Sequence, residues 1–431
     1  MRYYSTNNQS LRVSLKDAVT LGLAPDRGLF LPEHIPTLPQ SFFDKIDQLS
    51  FLEVAYEVAA ALIGEDIPAR DLKKLVNKAF PFDAPVFEVE SDVYALELFH
   101  GPTLAFKDFG ARFMSQLLGY FNKASAQTIT VLVATSGDTG GAVAHGFLGV
   151  PNTRVVVLYP SGMVSDIQER QFTTLGKNVQ AAEVKGTFDD CQRLVKEAFA
   201  DEQLRERHML TSANSINVAR LLPQSFYYFF AYAQLKKHNR PIIFSVPSGN
   251  LGNLTAGLLA RRMGLPASHF VAATNSNDVF PEYLQTLRYR PRPSVPTISN
   301  AMDVGDPSNF VRILDLYQGN TEALLSDLSG YAFNDKETKT AMRRVFVKHN
   351  YIMDPHGAIG YLGLKKAMAK RKGQLGVFLE TAHPGKFRPV VEDALKDGIE
   401  LPSKLLQLLE KEKKVVQIDN RLDQLRELLL N

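Results

Sequence analysis

From Thr128 onward the chain alternates short apolar runs with helical periods. Thr128–Ala134, Arg154–Tyr159, Val179–Val184, Ile242–Val246, Phe270–Thr274 and Val377–Leu379 are near-continuous apolar stretches that read as strands buried on both faces. Between them, Asp166–Leu175, Asp189–Phe199, Val218–Leu235 and Leu254–Met263 carry apolar residues at helical spacing. This alternation predicts an α/β fold in which parallel sheets are covered by helices. The strands fall into two clusters, one on each side of an aromatic helix around Phe226–Tyr232. Two open, parallel-sheet α/β lobes with a cleft between them are therefore expected.

The first 85 residues read differently. Phe51, Val54, Ala55, Val58, Ala59 and Leu62 mark one face of a helix, and prolines at 32, 36, 39, 68, 81 and 85 punctuate the region. We expect a mostly helical N-terminal domain over 1–85, a catalytic region over 86–400 with a smaller lobe near 126–222, and a helical tail over 401–431. Leu405, Leu406, Leu408 and Leu409, then Leu422, Leu425 and Leu428, carry the tail's helical spacing. Residues 280–307, rich in Pro, Arg and Asn, are expected to form an irregular excursion or lid.

Composition narrows the function by exclusion. A formal charge of +3 over 431 residues gives no argument for nucleic acid or a membrane surface. No apolar run approaches the length of a bilayer span, and the first eight residues lack the apolar core of a signal peptide. Cys191 is the single cysteine, so no internal disulfide or cysteine-rich metal site is expected. His100, His145, His356 and His383 lie far apart and lack metal-ligand spacing. The serine-hydrolase elbow and the P-loop signature are both absent. A cytoplasmic enzyme acting on a small molecule, monomeric or homodimeric, is the expectation.

Lys107 carries the chemical signal. It stands among Leu104, Ala105, Phe106 and Phe109, where a strand ending near Phe99 gives way to a helix starting at Asp108. An ammonium in such surroundings is costly unless its charge is neutralised or used. One use is covalent: a desolvated lysine condenses with a carbonyl, as in pyridoxal-phosphate enzymes. Three Gly/Ser/Thr loops, Ala134–Gly141, Val246–Thr255 and Glu380–Lys386, each follow a predicted strand and open a predicted helix. In α/β sheets ligands bind at such strand ends. Gly249 and Gly252 allow successive backbone N–H groups to converge on an anion. A fourth segment, Thr211–Arg220, spaces Asn214, Asn217 and Arg220 by three residues, on one face if that turn is helical. Arg220 there is a candidate phosphate clamp. Any one of these features alone also fits an ordinary capped turn or a surface arginine. Their combination in one chain is what carries weight.

Together these residues resemble the threonine synthase family, within the fold-type II, tryptophan-synthase β-like pyridoxal-phosphate enzymes. The likeness runs through Val13–Pro32, His100–Gly110, Ala134–Gly141, Ser212–Arg220, Ser248–Gly252 and Thr381–Phe387, nearly the whole chain. It implies pyridoxal 5'-phosphate held covalently by Lys107, with its phosphate on the backbone of Gly249, Asn250, Leu251 and Gly252. It places Thr381 at the pyridine nitrogen and Asp138 beside the cofactor's phenolic oxygen. Ser136 and Thr139 would supply hydroxyls to the substrate, and Asn214, Asn217 and Arg220 would face its phosphate. Leu251 stands where many relatives carry Phe, a change of little consequence for a backbone contact. The implied reaction converts O-phospho-L-homoserine and water to L-threonine and phosphate, as a carbon–oxygen lyase in threonine biosynthesis. The alternatives are a serine/threonine dehydratase or other β-eliminating or replacing enzyme of the same fold, and a catalytically silent homologue that binds a phosphometabolite. A nucleotide-binding regulator would need the P-loop lysine that is missing.

Overall fold

The computed structural model describes residues 1–123, 127–207 and 209–430. Ala126, the expected start of the smaller lobe, lies outside the described residues. The chain forms two compact units: residues 1–2, 31–106 and 221–400, and residues 3–30, 107–220 and 401–431.

The first unit is built on a six-stranded sheet in the order Leu328–Ala332, Ala267–Thr274, Ile242–Pro247, Leu375–Glu380, Val93–Glu97, Val86–Glu90. Five strands run parallel, and Val86–Glu90 closes the edge antiparallel. Ile242–Pro247 and Leu375–Glu380 are buried at every position, so they read as unbroken apolar runs. Helix Pro355–Lys370 covers these central strands. Helix Phe51–Ile63 opens with a capping box in which Ser50 and Glu53 each bond the other's backbone N–H. Its predicted apolar face is buried and packs on helix Phe226–Leu235, with Phe51 edge-on to Phe230 at 5.4 Å. Each large side chain buried there contributes about 1.5–3 kcal/mol.

The second unit holds a five-stranded, wholly parallel sheet: Val415–Asp419, Val179–Lys185, Thr153–Pro160, Ile129–Ala134, Met209–Ser212. Both sheets have the α/β character expected, and all six predicted strands are present within one to three residues at either end.

Several expectations change. The first 85 residues include three strands, Arg2–Ser5, Asn8–Ser14 and Phe30–Pro32, with helix Leu15–Leu21 between the second and third. Nor do they form one compact unit: residues 31–85 group with 86–106 and 221–400, and residues 3–30 with 107–220. The tail is not purely helical. Val415–Asp419 adds an edge strand beside Val179–Lys185, and helix Leu422–Leu430 sinks Leu425 and Leu429 into the core with Leu132, Val156 and Leu194. Helix 218–235 is interrupted by a 3₁₀ turn at Leu222–Ser225, where Pro223 has no N–H to donate. The excursion after residue 280 begins inside a helix, Val279–Thr286, and is irregular only beyond it. Among the described residues no helix is long and apolar enough to cross a membrane, and no group of three His, Cys, Asp or Glu side chains is placed to hold a metal.

The tail's role in the second core is measurable. Leu425→Ala removes a fully buried side chain and should cost about 2–5 kcal/mol. Urea unfolding followed by circular dichroism is expected to show the corresponding drop in midpoint, whereas the exposed Leu406→Ala should leave it almost unmoved.

Candidate active site

Lys107 is the first residue of helix Lys107–Phe121, one position earlier than the sequence pattern predicts. The segment before it is stitched to the end of strand Leu375–Glu380. Ala105 bridges Ala382 in antiparallel fashion, His383 N donates to Leu104 O at 3.0 Å, and Phe106 N donates to Thr381 O at 2.8 Å. Leu104 takes φ 56 to make this approach, a left-handed conformation costing about 1–2 kcal/mol. The Lys107 side chain is 17 % exposed, and its Nζ lies 3.9 Å from Asp138 Oδ2. An ammonium in a first helical turn faces the positive end of the helix dipole, which disfavours its charge. Asp138 opposes that effect.

Asp138 is in turn the first residue of helix Asp138–Phe147. Strand Ile129–Ala134 is followed by Thr135, whose Oγ1 accepts from Gly137 N at 3.0 Å and Gly140 N at 2.8 Å. Gly137 has φ 145, and a Cβ there would lie 2.7 Å from the Gln168 side chain, so only glycine fits. That close approach lets Gln168 Nε2 donate to Asp138 Oδ1 at 2.8 Å. One carboxylate oxygen is thus held by Gln168 while the other faces Lys107. Ser136 and Thr139 are the partly exposed residues of the loop, and among the described residues no protein group engages their hydroxyls.

The second loop joins strand Ile242–Pro247 to helix Gly252–Arg262. Leu251 adopts φ 61, the left-handed turn that curls successive N–H groups into a concave nest. Among the described residues, the backbone N–H groups of Gly249, Asn250, Leu251 and Gly252 donate to no protein acceptor. A Cβ on Gly249 would come within 2.9 Å of Met302 Cα and 3.0 Å of Ala301 O, so the loop has no room for a side chain there. Next to this nest, Asn253 is buried, with its Oδ1 accepting from the Tyr227 and Tyr228 hydroxyls, each at 2.7 Å. Among the described residues its Nδ2 has no partner. Unpaired donors at a helix N-terminus with no carboxylate among them fit a phosphate group.

At the third loop, Thr381 follows the last residue of strand Leu375–Glu380 and is buried. Its carbonyl is used by Phe106, and among the described residues its hydroxyl has no protein partner. A free, buried hydroxyl at the strand end suits a ring nitrogen. Lys386, also buried, donates from Nζ to Thr103 O at 2.8 Å.

Comparison with known proteins decides the family. Residues 82–378 match the model of the pyridoxal-phosphate dependent enzymes, residues 2–80 that of the threonine synthase N terminus, and residues 357–429 that of the threonine synthase C-terminal region. The chain is 46 % identical over 408 residues to the threonine synthase of Escherichia coli, covering 94 % of each chain. It is also 46 % identical to that of Haemophilus influenzae over the whole of both. The chain belongs to the threonine synthase family. The solved structure of pyridoxal-phosphate-bound threonine synthase from Brucella melitensis matches it with a TM-score of 0.94 at 35 % identity, covering 100 % of this chain and 98 % of that one. The fold is accordingly the fold-type II arrangement of this family, and the cofactor is pyridoxal phosphate. The unpaired N–H groups of residues 249–252, the free Thr381 hydroxyl and the Lys107 amine are all compatible with it.

The fourth segment departs from its predicted form. Residues 214–217 are turn rather than helix, and the helix begins at Val218, so Asn214, Asn217 and Arg220 do not share one helical face. Asn217 is fully buried and spends its side chain on the fold: Nδ2 donates to Val19 O at 3.0 Å and Ser212 O at 3.2 Å, and Oδ1 accepts from Ala219 N at 2.9 Å. Arg220 is 3 % exposed, with Nη1 donating to Ala213 O. Burial brings its guanidinium down to about 10, and the nearby Asp108 charge opposes the shift. Asn214 Oδ1 is buried and has no partner among the described residues.

Sequence reasoning also missed a group of ionisable residues beside Thr381 in this threonine synthase fold. Glu380, Asp354 and His356 are all buried, and Asp354 Oδ1 lies 2.5 Å from His356 Nδ1. Burial, reinforced by the Asp354 charge, pushes the Glu380 carboxyl well above the ordinary glutamate range. Burial also works against ionisation of Asp354, but the His356 ring and the Glu380 hydrogen bond hold it below its usual value. Of the two carboxyls, Glu380 is the one biased toward keeping its proton and Asp354 the one biased toward ionisation. A raised value in the folded state gives stability that is complete below the unfolded-state value and drains away as pH rises toward the folded one. Glu380→Gln titrates in neither state. Its stability relative to the parent, from thermal unfolding, should rise as pH climbs above about 4.5, by at most about 1.4 kcal/mol per pH unit. A difference independent of pH would refute the raised carboxyl.

Proposed function

We propose that the chain converts O-phospho-L-homoserine and water to L-threonine and phosphate, with Lys107 as its catalytic amine. The observation that carries this reading is the placement of that amine: part-buried, in a first helical turn, 3.9 Å from Asp138, and one residue beyond a segment bonded to Thr381. When bound, pyridoxal phosphate supplies an aldehyde to hold the substrate amine and a conjugated ring to draw electrons from its α-carbon.

The chain's own groups divide the remaining work. Lys107 Nζ, released when substrate takes its place, moves the proton at the α-carbon, and Asp138 keeps that nitrogen in position. The N–H groups of Gly249, Asn250, Leu251 and Gly252 grip the cofactor phosphate. The Thr381 hydroxyl meets the ring nitrogen with a neutral group, so it does not promote protonation there as a carboxylate would. Ser136 and Thr139 offer hydroxyls to the substrate carboxylate. On the substrate-phosphate side we assign Asn214 and Arg220 to contact and Asn217 to holding the turn, because the Asn217 amide is already spent on backbone carbonyls. The enzyme is assigned to the cytoplasm, as a monomer or homodimer without nucleic-acid or membrane partners. Residues 1–85, 86–400 and 401–431 remain our functional division of the chain: N-terminal domain, catalytic region and tail.

Lys107→Ala should abolish the visible band of bound cofactor and lower phosphate release from phosphohomoserine by at least about 10²–10⁴-fold. An unchanged spectrum with full turnover would remove Lys107 from the role. The nearest rival, a dehydratase of the same fold, predicts ammonia release from threonine without need of a substrate phosphate. Assaying both products on the parent enzyme separates the two: phosphate release from phosphohomoserine should dominate.

A further inference from the structure

We propose that Arg312 orients and charges the phosphate-binding turn through Asn309, acting as a positioning residue for the cofactor. It rests on the reading above that residues 249–252 hold the cofactor phosphate. Arg312 lies in helix Phe310–Leu316, which packs on helix Gly252–Arg262, the helix that the turn opens. It is wholly buried and ranks among the largest side chains that are.

Its Nη1 donates to Asn309 Oδ1 at 2.8 Å, which fixes the Asn309 amide with Nδ2 on the opposite side. That Nδ2 donates to Asn250 O at 3.0 Å, and Asn309 N donates to the same oxygen at 3.3 Å. In a trans peptide the carbonyl of one residue and the N–H of the next point in opposite directions. Tying the Asn250 carbonyl to Asn309 therefore turns the Leu251 N–H away from Asn309, toward the concave side of the nest. The Asn250 side chain is held as well, by Ser308, whose N and Oγ donate to Asn250 Oδ1 at 3.3 and 3.2 Å.

The direction of this chain matters. From guanidinium to Asn309 amide to Asn250–Leu251 peptide, every N–H points away from Arg312 and toward the turn. A cation at one end of aligned hydrogen bonds polarises each of them and strengthens the last donor toward an anion. Burial lowers the guanidinium to about 9, which still leaves it charged at neutral pH. A buried cation is costly to keep, and a phosphate at the far end of the chain offsets part of that cost.

The test compares two ligands on the apo protein: pyridoxal phosphate and pyridoxal, which lacks the phosphate. Arg312→Met conserves volume and removes the charge and the donor. It should weaken pyridoxal phosphate about 10- to 100-fold while leaving pyridoxal within about threefold. It should also shift the ³¹P resonance of the bound phosphate and raise the pH at which that phosphate takes its second negative charge. A merely structural arginine would move neither phosphate signal. Asn309→Ala, which keeps the cation but cuts the relay, is expected to weaken the phosphate ligand in the same selective way, and it decides the matter if Arg312→Met does not fold. Equal losses for both ligands, or no loss in a folded variant, overturn the proposal. Gly249→Val separates the two levels. If it spares pyridoxal phosphate binding, the assignment of the turn itself is wrong. If it abolishes binding while the Arg312 and Asn309 variants bind normally, only the relay is wrong.

Discussion

The short antiparallel pairing of residues 104–106 with 381–383 is the constraint on which the chemistry depends. Two backbone hydrogen bonds, at 2.8 and 3.0 Å, and the buried pair Ala105 and Ala382 lock the approach to Lys107 against the end of a fully buried sheet strand. Each bond is worth only about 1 kcal/mol net. Their value lies in register: one residue carries the chain about 3.8 Å from Cα to Cα, so Lys107, proposed above as the catalytic amine, follows the paired segment by a single step. The left-handed strain at Leu104 is the cost of this turn, and it sits where functional strain is commonly stored.

How much of this was legible beforehand follows from what a local pattern can report. The strands that carry the loops are buried on both faces, so their sequences are apolar throughout and stand out. The glycine-rich loops announce themselves because only particular residues fit a nest or φ 145. Asn8–Ser14 escaped notice because it is mostly exposed and presents no apolar face. Val415–Asp419 escaped for a related reason: it is an edge strand with only Ile418 buried. The spacing of Asn214, Asn217 and Arg220 puts them on one face only in a helix, whereas residues 214–217 form a turn held by Asn217's bonds to Val19 and Ser212. Arg312 and Asn309 follow a stretch rich in Pro, Arg and Asn that reads as irregular. Their partner, Asn250, lies about sixty residues away, beyond the reach of any local pattern.

The buried ionisable groups of the first unit are of two kinds, and the difference bears on the reaction. Behind the turn proposed to hold the phosphate, the fold keeps a cation, Arg312, at the head of the hydrogen bonds that run through Asn309 to Asn250. Beside Thr381 it keeps a carboxyl, Glu380, that burial and the Asp354 charge bias toward its protonated form, and Asp354 itself is bound to His356. Were Glu380 ionised, a negative charge would lie one residue from the hydroxyl assigned to the ring nitrogen and would favour a proton on that nitrogen. Thr381 alone, then, does not determine how strongly the ring draws electrons. On the proposed assignment, a neutral hydroxyl in front and a carboxyl biased toward its protonated form behind would together deny the nitrogen a counter-charge, while the opposite end of the cofactor would be supplied with one. The same polarity, positive at the phosphate and uncharged at the ring, would hold the cofactor firmly by its tail and keep its electron demand moderate. That suits an enzyme that must expel a phosphate and then add water at the neighbouring carbon, rather than one that strips the α-carbon as far as possible.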